Sequence, residues 1–355
     1  MGRQARAGHC LERLVKKAIP MLQAAQMSCP RKGRGDKPKI PEWVMAALIM
    51  IVVLKKKKTK SAQYRYLVEH RRQIAVWLHD KRFPARATYF RRYRRAHHLY
   101  RQALRLQGDK AIAEGVTDPR QVTVDKSLIS GHGPPWHKQD RQAGTIPAGV
   151  DRECAWGYSE HDGWVHGYSY EVVVSATAHA TVFPLLASVD TASASETKTC
   201  PDKIDDLPDA TEAVLVDSGY DANALAERVE YDDEDRRTGR RFVCPQNPRN
   251  NKRPKTKYGG ADASRARSRE RRCQRQRFFV SRRGRRWYAR RKKTVEPFNQ
   301  WFKSLFELEG RVWHRGLDNN RTQLLAAIFV YQLLVRYNFA RGNNNGQVRW
   351  LMDGL

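Results

Sequence analysis

The stretch AVLVDSGYD, Ala213 to Asp221, runs four small or branched apolar residues straight into an aspartate. A short valine-rich run bounded by a glycine turn reads as a buried strand, so Asp217 stands where such a strand ends. VTVD, Val122 to Asp125, repeats the pattern. Burying a carboxylate costs several kcal/mol unless it is paired or bound to metal, and strand ends of an open α/β sheet are where ligands bind. A divalent cation held between Asp125 and Asp217 removes that cost. Helix capping, or pairing with one of the 67 Lys and Arg side chains, is the structural alternative for each.

Working outward, QVTVDKSLI (121–129), YEVVVSATAHA (170–180), TVFPLLASVD (181–190), AVLVD and RRFVCPQN (240–247) read as strands. SASETKTCPDKIDDL, between the third and fourth of them, carries the Ser, Thr and acids of a helix start. Strands interrupted by helices indicate an α/β domain. The long NNRTQLLAAIFVYQLLVRYN (319–338) is apolar on nearly every side, which predicts a helix buried against the sheet. The tail from 341 to 355 is expected to be flexible.

The charge sets the partner. Lys plus Arg minus Asp plus Glu is 67 − 37 = +30, an excess that points to a polyanion, nucleic acid before membrane. The longest apolar run, Trp43 to Leu54, has 12 residues, short of the ~20 a membrane-spanning helix needs. No signal-peptide pattern opens the chain, so a cytoplasmic protein is expected. The six cysteines are scattered without a C-x-x-C pair, as for reduced thiols. GHGPPWH (131–137) has two histidines but no third zinc ligand at useful spacing. Trp136, Trp156 and Trp164 are expected in the core rather than stacked on bases.

Residues 1–115 read as helical and basic. In FPARATYFRRYRRAHHLYRQAL (83–104), Tyr89, Tyr93, Ala96, Tyr100 and Leu104 make one apolar face, and Arg91, Arg92, Arg94 and Arg95 face out. A basic helix opening at Thr88 after a turn is how a helix-turn-helix presents a recognition helix to DNA; a basic-surfaced bundle helix with no groove contact is the alternative. The segment 249–293 holds 20 Lys or Arg against two acids, a density that repels itself unless a phosphate backbone neutralises it. It reads as a loop, a short basic helix and a hairpin around Gly284. Beyond it, TVEPFNQWFKSLFEL (294–308) is a helix in which Phe298, Trp301, Phe302 and Leu305 share one arc, while Asn299, Gln300 and Lys303 turn to the side of Glu296. Pro297 suggests Glu296 as the cap residue.

These residues together resemble an insertion-sequence DDE transposase of bacteria, the type with a Y-R-E-K signature around its last acid. VTVDKSLI resembles the first-aspartate strand, HGYSYEVVV (166–174) the second strand, LVDSGYD the second-aspartate motif and TVEPFNQWFK the glutamate-to-lysine helix. The resemblance implies an RNase H-like α/β fold, a mixed five-stranded sheet flanked by helices, over 116–340 with a basic insertion at 249–293, preceded by a helical DNA-binding region at 1–115. It implies that Asp125, Asp217 and Glu296 hold two Mg²⁺ ions, or Mn²⁺ in their place, and that Lys303 contacts a phosphate at the transposon end. The usual spacing falls on Lys292 and Ala289; Arg291 and Tyr288, each one residue earlier, could fill the arginine and tyrosine roles. Double-stranded DNA, transposon end and target, would be the partner, with a homodimer assembled on it. An inactive transposase kept for DNA binding, or an RNase H-like nuclease that does not transpose, would share much of this pattern.

Overall fold

The computed structural model describes residues 3–29, 38–248, 263–344 and 346–355. Helices α1 (Arg3–Ser28), α2 (Glu42–Leu54), α3 (Lys60–Glu69), α4 (Arg71–Leu78), α5 (Arg86–Tyr93) and α6 (Ala96–Ala113) precede the sheet. Then come β1 (Gln121–Ser130), the short α7 (Lys138–Gln142), β2 (Ala155–Ser159), β3 (Gly163–Ser175) and β4 (Pro184–Thr191). The chain continues through α8 (Glu196–Thr199), α9 (Pro201–Asp205), β5 (Ala213–Leu215), α10 (Asn223–Glu230) and β6 (Arg241–Val243). It closes with α11 (Ala263–Val280), α12 (Arg282–Tyr288), α13 (Arg290–Leu305), α14 (Leu317–Phe339) and α15 (Arg349–Asp353).

Strand β3 is the spine of the sheet. One edge pairs antiparallel with β1, from Val122↔Ser175 to Ser130↔Gly167; the other edge is shared end to end by β2 and β4. Beyond β1 lie β5 and then β6, both parallel to it. Six strands therefore fill five positions, β2/β4, β3, β1, β5 and β6, an RNase H-like mixed sheet. Strand β3 is buried from Val165 to Ser175, including the polar side chains of His166, Ser169, Glu171 and Ser175, so both of its faces are covered.

Two apolar helices meet beside this sheet. Val44 to Leu54 of α2 are all buried, and α2 packs on α14, which also lies on α6 and β4. Polar side chains inside this layer find fixed partners: Gln332 Nε2 donates to the carbonyls of Leu104 (3.0 Å) and Pro184 (2.7 Å), and Thr322 Oγ1 to that of Tyr93 (2.7 Å). Such bonds align α14 as well as stabilise it, since a buried polar group left unmade is costly. A single apolar cluster runs from Leu11 through Tyr100, Val122 and Phe298 to Met352.

Several local expectations change. The basic helix expected from Thr88 to Leu104 is broken at Arg94 and Arg95, where the Arg95 N–H bonds the Arg92 carbonyl at 3.1 Å in a tighter turn. Its apolar face nevertheless stays buried across the break, Tyr89, Tyr93 and Tyr100 completely. The expected hairpin around Gly284 is helical: Ser281 caps α12 by accepting from the Gly284 N–H. A Cβ at Gly284 would lie 2.1 Å from the Phe278 carbonyl oxygen, so this glycine permits close approach of α11 to α12 and makes no strand turn. The loop expected before it, 249–262, lies outside the described residues. Helix α13 starts six residues before Glu296, which is no cap; Pro297 sits inside the helix, held there by buried Val295, Phe298, Phe302 and Leu305. Trp301 is exposed rather than in that arc, as is Trp164, and Trp136 and Trp156 are only half-buried. In the tail, α15 buries Leu351 and Met352 against the core.

Candidate active site

Asp125 lies mid-strand, the fifth residue of β1 and opposite Val172 of β3, where a strand end was expected. The neighbouring strand β5 stops at Leu215, level with Thr123. Carrying that parallel register two residues further sets Asp217 level with Asp125 and on the same face of the sheet. Asp217 lies two residues beyond the end of β5 and caps the tight turn Ser218–Tyr220, accepting from the Gly219 N–H at 2.8 Å. Helix α13 packs over β1 and β3 and brings Glu296 to the pair.

What joins the three acids is Arg291, in the first turn of α13. Its Nη2 donates to Asp125 Oδ1 and lies 3.5 Å from Asp217 Oδ2, and its Nη1 lies 3.6 Å from Glu296 Oε1. The second oxygen of Asp125 accepts from Asn299 Nδ2 at 2.7 Å, and the Tyr170 hydroxyl in turn donates to Asn299 Oδ1 at 3.0 Å. Asn299 and Tyr170 were not among the expected site residues. The available signal was the helical spacing that turns Asn299 toward the side of Glu296.

Burial drives the electrostatics. It raises the Asp125 pKa to about 6, partly offset by Arg291 and reinforced by Asp217 and Glu296. Asp217 is raised as well, first by burial, with Arg291 opposing. Lys303, one face of α13 further on, is largely buried; burial lowers its pKa against the pull of Asp162, 4.0 Å away, and of Asp125. Three hard carboxylate oxygens facing one cationic position are the donor type a divalent ion takes. Among the described residues, however, no three Asp, Glu, His or Cys side chains stand close enough to enclose an ion; they are arranged about the guanidinium.

The remaining expected residues divide. Tyr288 is half-buried against the edge of Phe279, its pKa raised by burial and influenced by Arg291 and Asp217. Lys292 is exposed, because one residue along a helix is a turn of about 100° away from Arg291. In the N-terminal region Arg91, Arg94 and Arg95 are exposed. Arg92 instead pairs with Glu42 at 2.8 Å and donates to the Ile40 carbonyl at 2.7 Å, a contact that ties α5 to the start of α2. Helix α11 is fastened beside the second aspartate by Arg272 to Asp221 (2.7 Å) and Arg275 to Asn223 (2.7 Å), with Arg269 and Arg277 exposed.

Residues 117–333, more than half of the chain, match the family model of the transposase DDE domain. The chain belongs to the DDE transposases. The matched span covers all six strands and reaches into α14, so all three acids, Arg291 and Lys303 lie within it. The match gives the chain a transposase function in general, with DNA as the partner the family implies; DDE transposases as a family generally use divalent metal ions. No match is found among curated proteins or among solved structures. Among the described residues no helix is long and apolar enough to cross a membrane.

Proposed function

We propose that this DDE transposase binds the terminal inverted repeats of an insertion sequence and moves it by cut-and-paste transposition, in the cytoplasm at the nucleoid. The observation that carries the reading is the convergence of Asp125 from mid-β1, Asp217 from beyond β5 and Glu296 from α13 on one guanidinium. These acids lie 79 and 171 residues from Glu296 in sequence (296 − 217 and 296 − 125), and three carboxylates gathered on a single cation leave an excess of negative charge that suits metal ions. Two Mg²⁺ or Mn²⁺ ions held by these three carboxylates would supply the charge that activates an attacking oxygen and stabilises the leaving one at a phosphodiester.

The chain's own groups prepare that reaction. Asn299, oriented by Tyr170, fixes one oxygen of Asp125 and so its rotamer. Lys303 would meet a phosphate at the transposon end, in the manner of the Y-R-E-K lysine, with Tyr288 and Arg291 in the tyrosine and arginine roles and exposed Lys292 as a point charge to the DNA. Residues 1–115 would recognise the repeat through Arg91, Arg94 and Arg95, and 116–340 would form the catalytic domain. Holding two transposon ends requires two copies of the chain, so a homodimer on DNA follows.

Incubating the protein with terminal-repeat DNA and Mg²⁺ tests this. Strand cleavage and joined products are expected from the parent and from neither Asp217→Ala nor Glu296→Ala. Cleavage without joining would leave a nuclease that does not transpose, and binding without cleavage a transposase that has lost its chemistry.

A further inference from the structure

Arg291 is central and yet does not close its fork on any one carboxylate. Its side chain is 12 % exposed and every carboxylate of the site faces it. A guanidinium offers five N–H donors and pairs best with a carboxylate through two parallel bonds. Among the described residues its one side-chain hydrogen bond is to Asp125; Asp217 and Glu296 stand at ion-pair distance, and the Nε is buried without a hydrogen-bond partner among them. One positive charge also underbalances three carboxylates. A permanent structural pair would close its fork, as Arg336 does by donating to both oxygens of Glu114 at 2.9 and 2.6 Å.

We propose that Arg291 is a resident counter-ion: it gathers Asp125, Asp217 and Glu296 before metal binds and withdraws from between them when they take up divalent cations. This rests on the reading of the three acids as the metal ligands. While the guanidinium stays, the carboxylates point at it and do not form a group that could hold an ion. Once withdrawn, it lies at the edge of the site with its donors open, and a DNA phosphate is the partner that best satisfies them. Metal loading and DNA binding then favour each other, since each removes a partner that the other would have to displace.

The test is Mn²⁺ binding to the full chain without DNA, followed by electron paramagnetic resonance of free Mn²⁺ or by calorimetry, with folding checked by circular dichroism. Arg291→Gln keeps polarity and removes the charge; it should bind Mn²⁺ at least about ten-fold more tightly than the parent, the scale expected from deleting one partly buried competing charge. Arg291→Lys, which keeps the charge without the fork, should fall between the two, and it serves alone if the glutamine variant does not fold. Equal or weaker Mn²⁺ binding by the folded variants overturns the inference. Adding Asp217→Asn separates the two ideas. If that change abolishes Mn²⁺ binding in the parent while Arg291→Gln leaves it unaltered, the metal ligands stand and the counter-ion falls. If Asp217→Asn and Asp125→Asn have no effect in either background, the metal reading falls and takes the inference with it.

Discussion

Two charged clusters lie on opposite faces of the same pair of strands. Asp125 of β1 and its neighbour on the ladder, Val172, face α13, whereas Lys126 and its partner Glu171 face the other way. On that reverse face Glu171 and Lys203 are each 3 % exposed and lie 2.5 Å apart. The Tyr220 hydroxyl donates to Glu171 at 2.7 Å, and Lys203 Nζ also reaches Ser188 Oγ at 2.7 Å. This cluster is balanced in charge and closed to solvent. The Asp125 face has three acids against one guanidinium, with Asp217 and Glu296 41 % and 50 % exposed. Charge that is matched and sealed is the mark of a structural pair; charge that is unmatched and open is the mark of a candidate ligand site. The two are joined by Tyr220, which anchors the turn after Asp217 to the sealed cluster, so the sealed side positions the open one.

The comparison breaks most visibly in catalysis. Removing Asp217 as Asp217→Ala should lower strand cleavage by roughly a thousand-fold or more, because metal-assisted charge stabilisation is worth several kcal/mol. DNA binding and the unfolding midpoint should barely change. A cleavage assay beside a thermal melt reads both, and a variant that unfolds early would move Asp217 into the structural class.

The sealed cluster should respond in the opposite way. Lys203→Met leaves Glu171 buried without its cation, and denaturant titration should show a loss of about 3–5 kcal/mol. Glu171→Leu combined with Lys203→Met should recover much of it, since a buried pair replaced by apolar side chains is often neutral. No recovery would mean that the pair itself, rather than its imbalance, holds the fold.

A pH series sharpens the contrast on the open side. The folded pKa of Asp125 is raised to about 6, above the ~3.9 of an unfolded aspartate. The folded chain therefore holds the proton more tightly; this stability is full below about pH 4 and is lost as pH rises through about 6. In metal-free buffer the parent should lose up to about 3 kcal/mol across that window, which Asp125→Asn does not lose. Matching slopes for the two would show that Asp125 carries its charge at little cost.

The smallest effect separates Lys303 from Lys292. Lys303→Ala should weaken binding to terminal-repeat DNA and reduce the salt dependence of log K by about one ion, whereas exposed Lys292→Ala should change it by less. Equal effects would place the phosphate contact on the outer face of α13.

Much of the catalytic half was legible because its chemistry and its periodicity coincide. The valine runs of VTVD and AVLVD announce strands, and an acid directly after or within each announces a site. What could not be read were choices that differ by one residue. Arg291 and Lys292 are both cations on one helix; which of them meets the acids depends on where the helix starts, and a start at Arg290 rather than at Glu296 changes the facing of the first turn. Strand β2, AWGYS, is too short and too poor in valine to be seen without β3 beside it. Helices α11 and α12 carry so many arginines that no apolar period marks them, and their few anchors, Phe278 and Trp287, meet edge to face at 5.5 Å only once the two helices are folded against each other.

The sequence alone therefore determined the class of fold and the polyanion partner, and marked Asp125 and Asp217 as candidates, because burial of apolar runs and the cost of burying charge are local demands that any arrangement must meet. Tertiary structure decided the rest. It set Asp217 level with Asp125 through a parallel register, placed Arg291 rather than Lys292 among the carboxylates, and put Glu171 and Lys203 behind them, because these depend on how separate elements are turned toward one another, and that is settled only when they share one core.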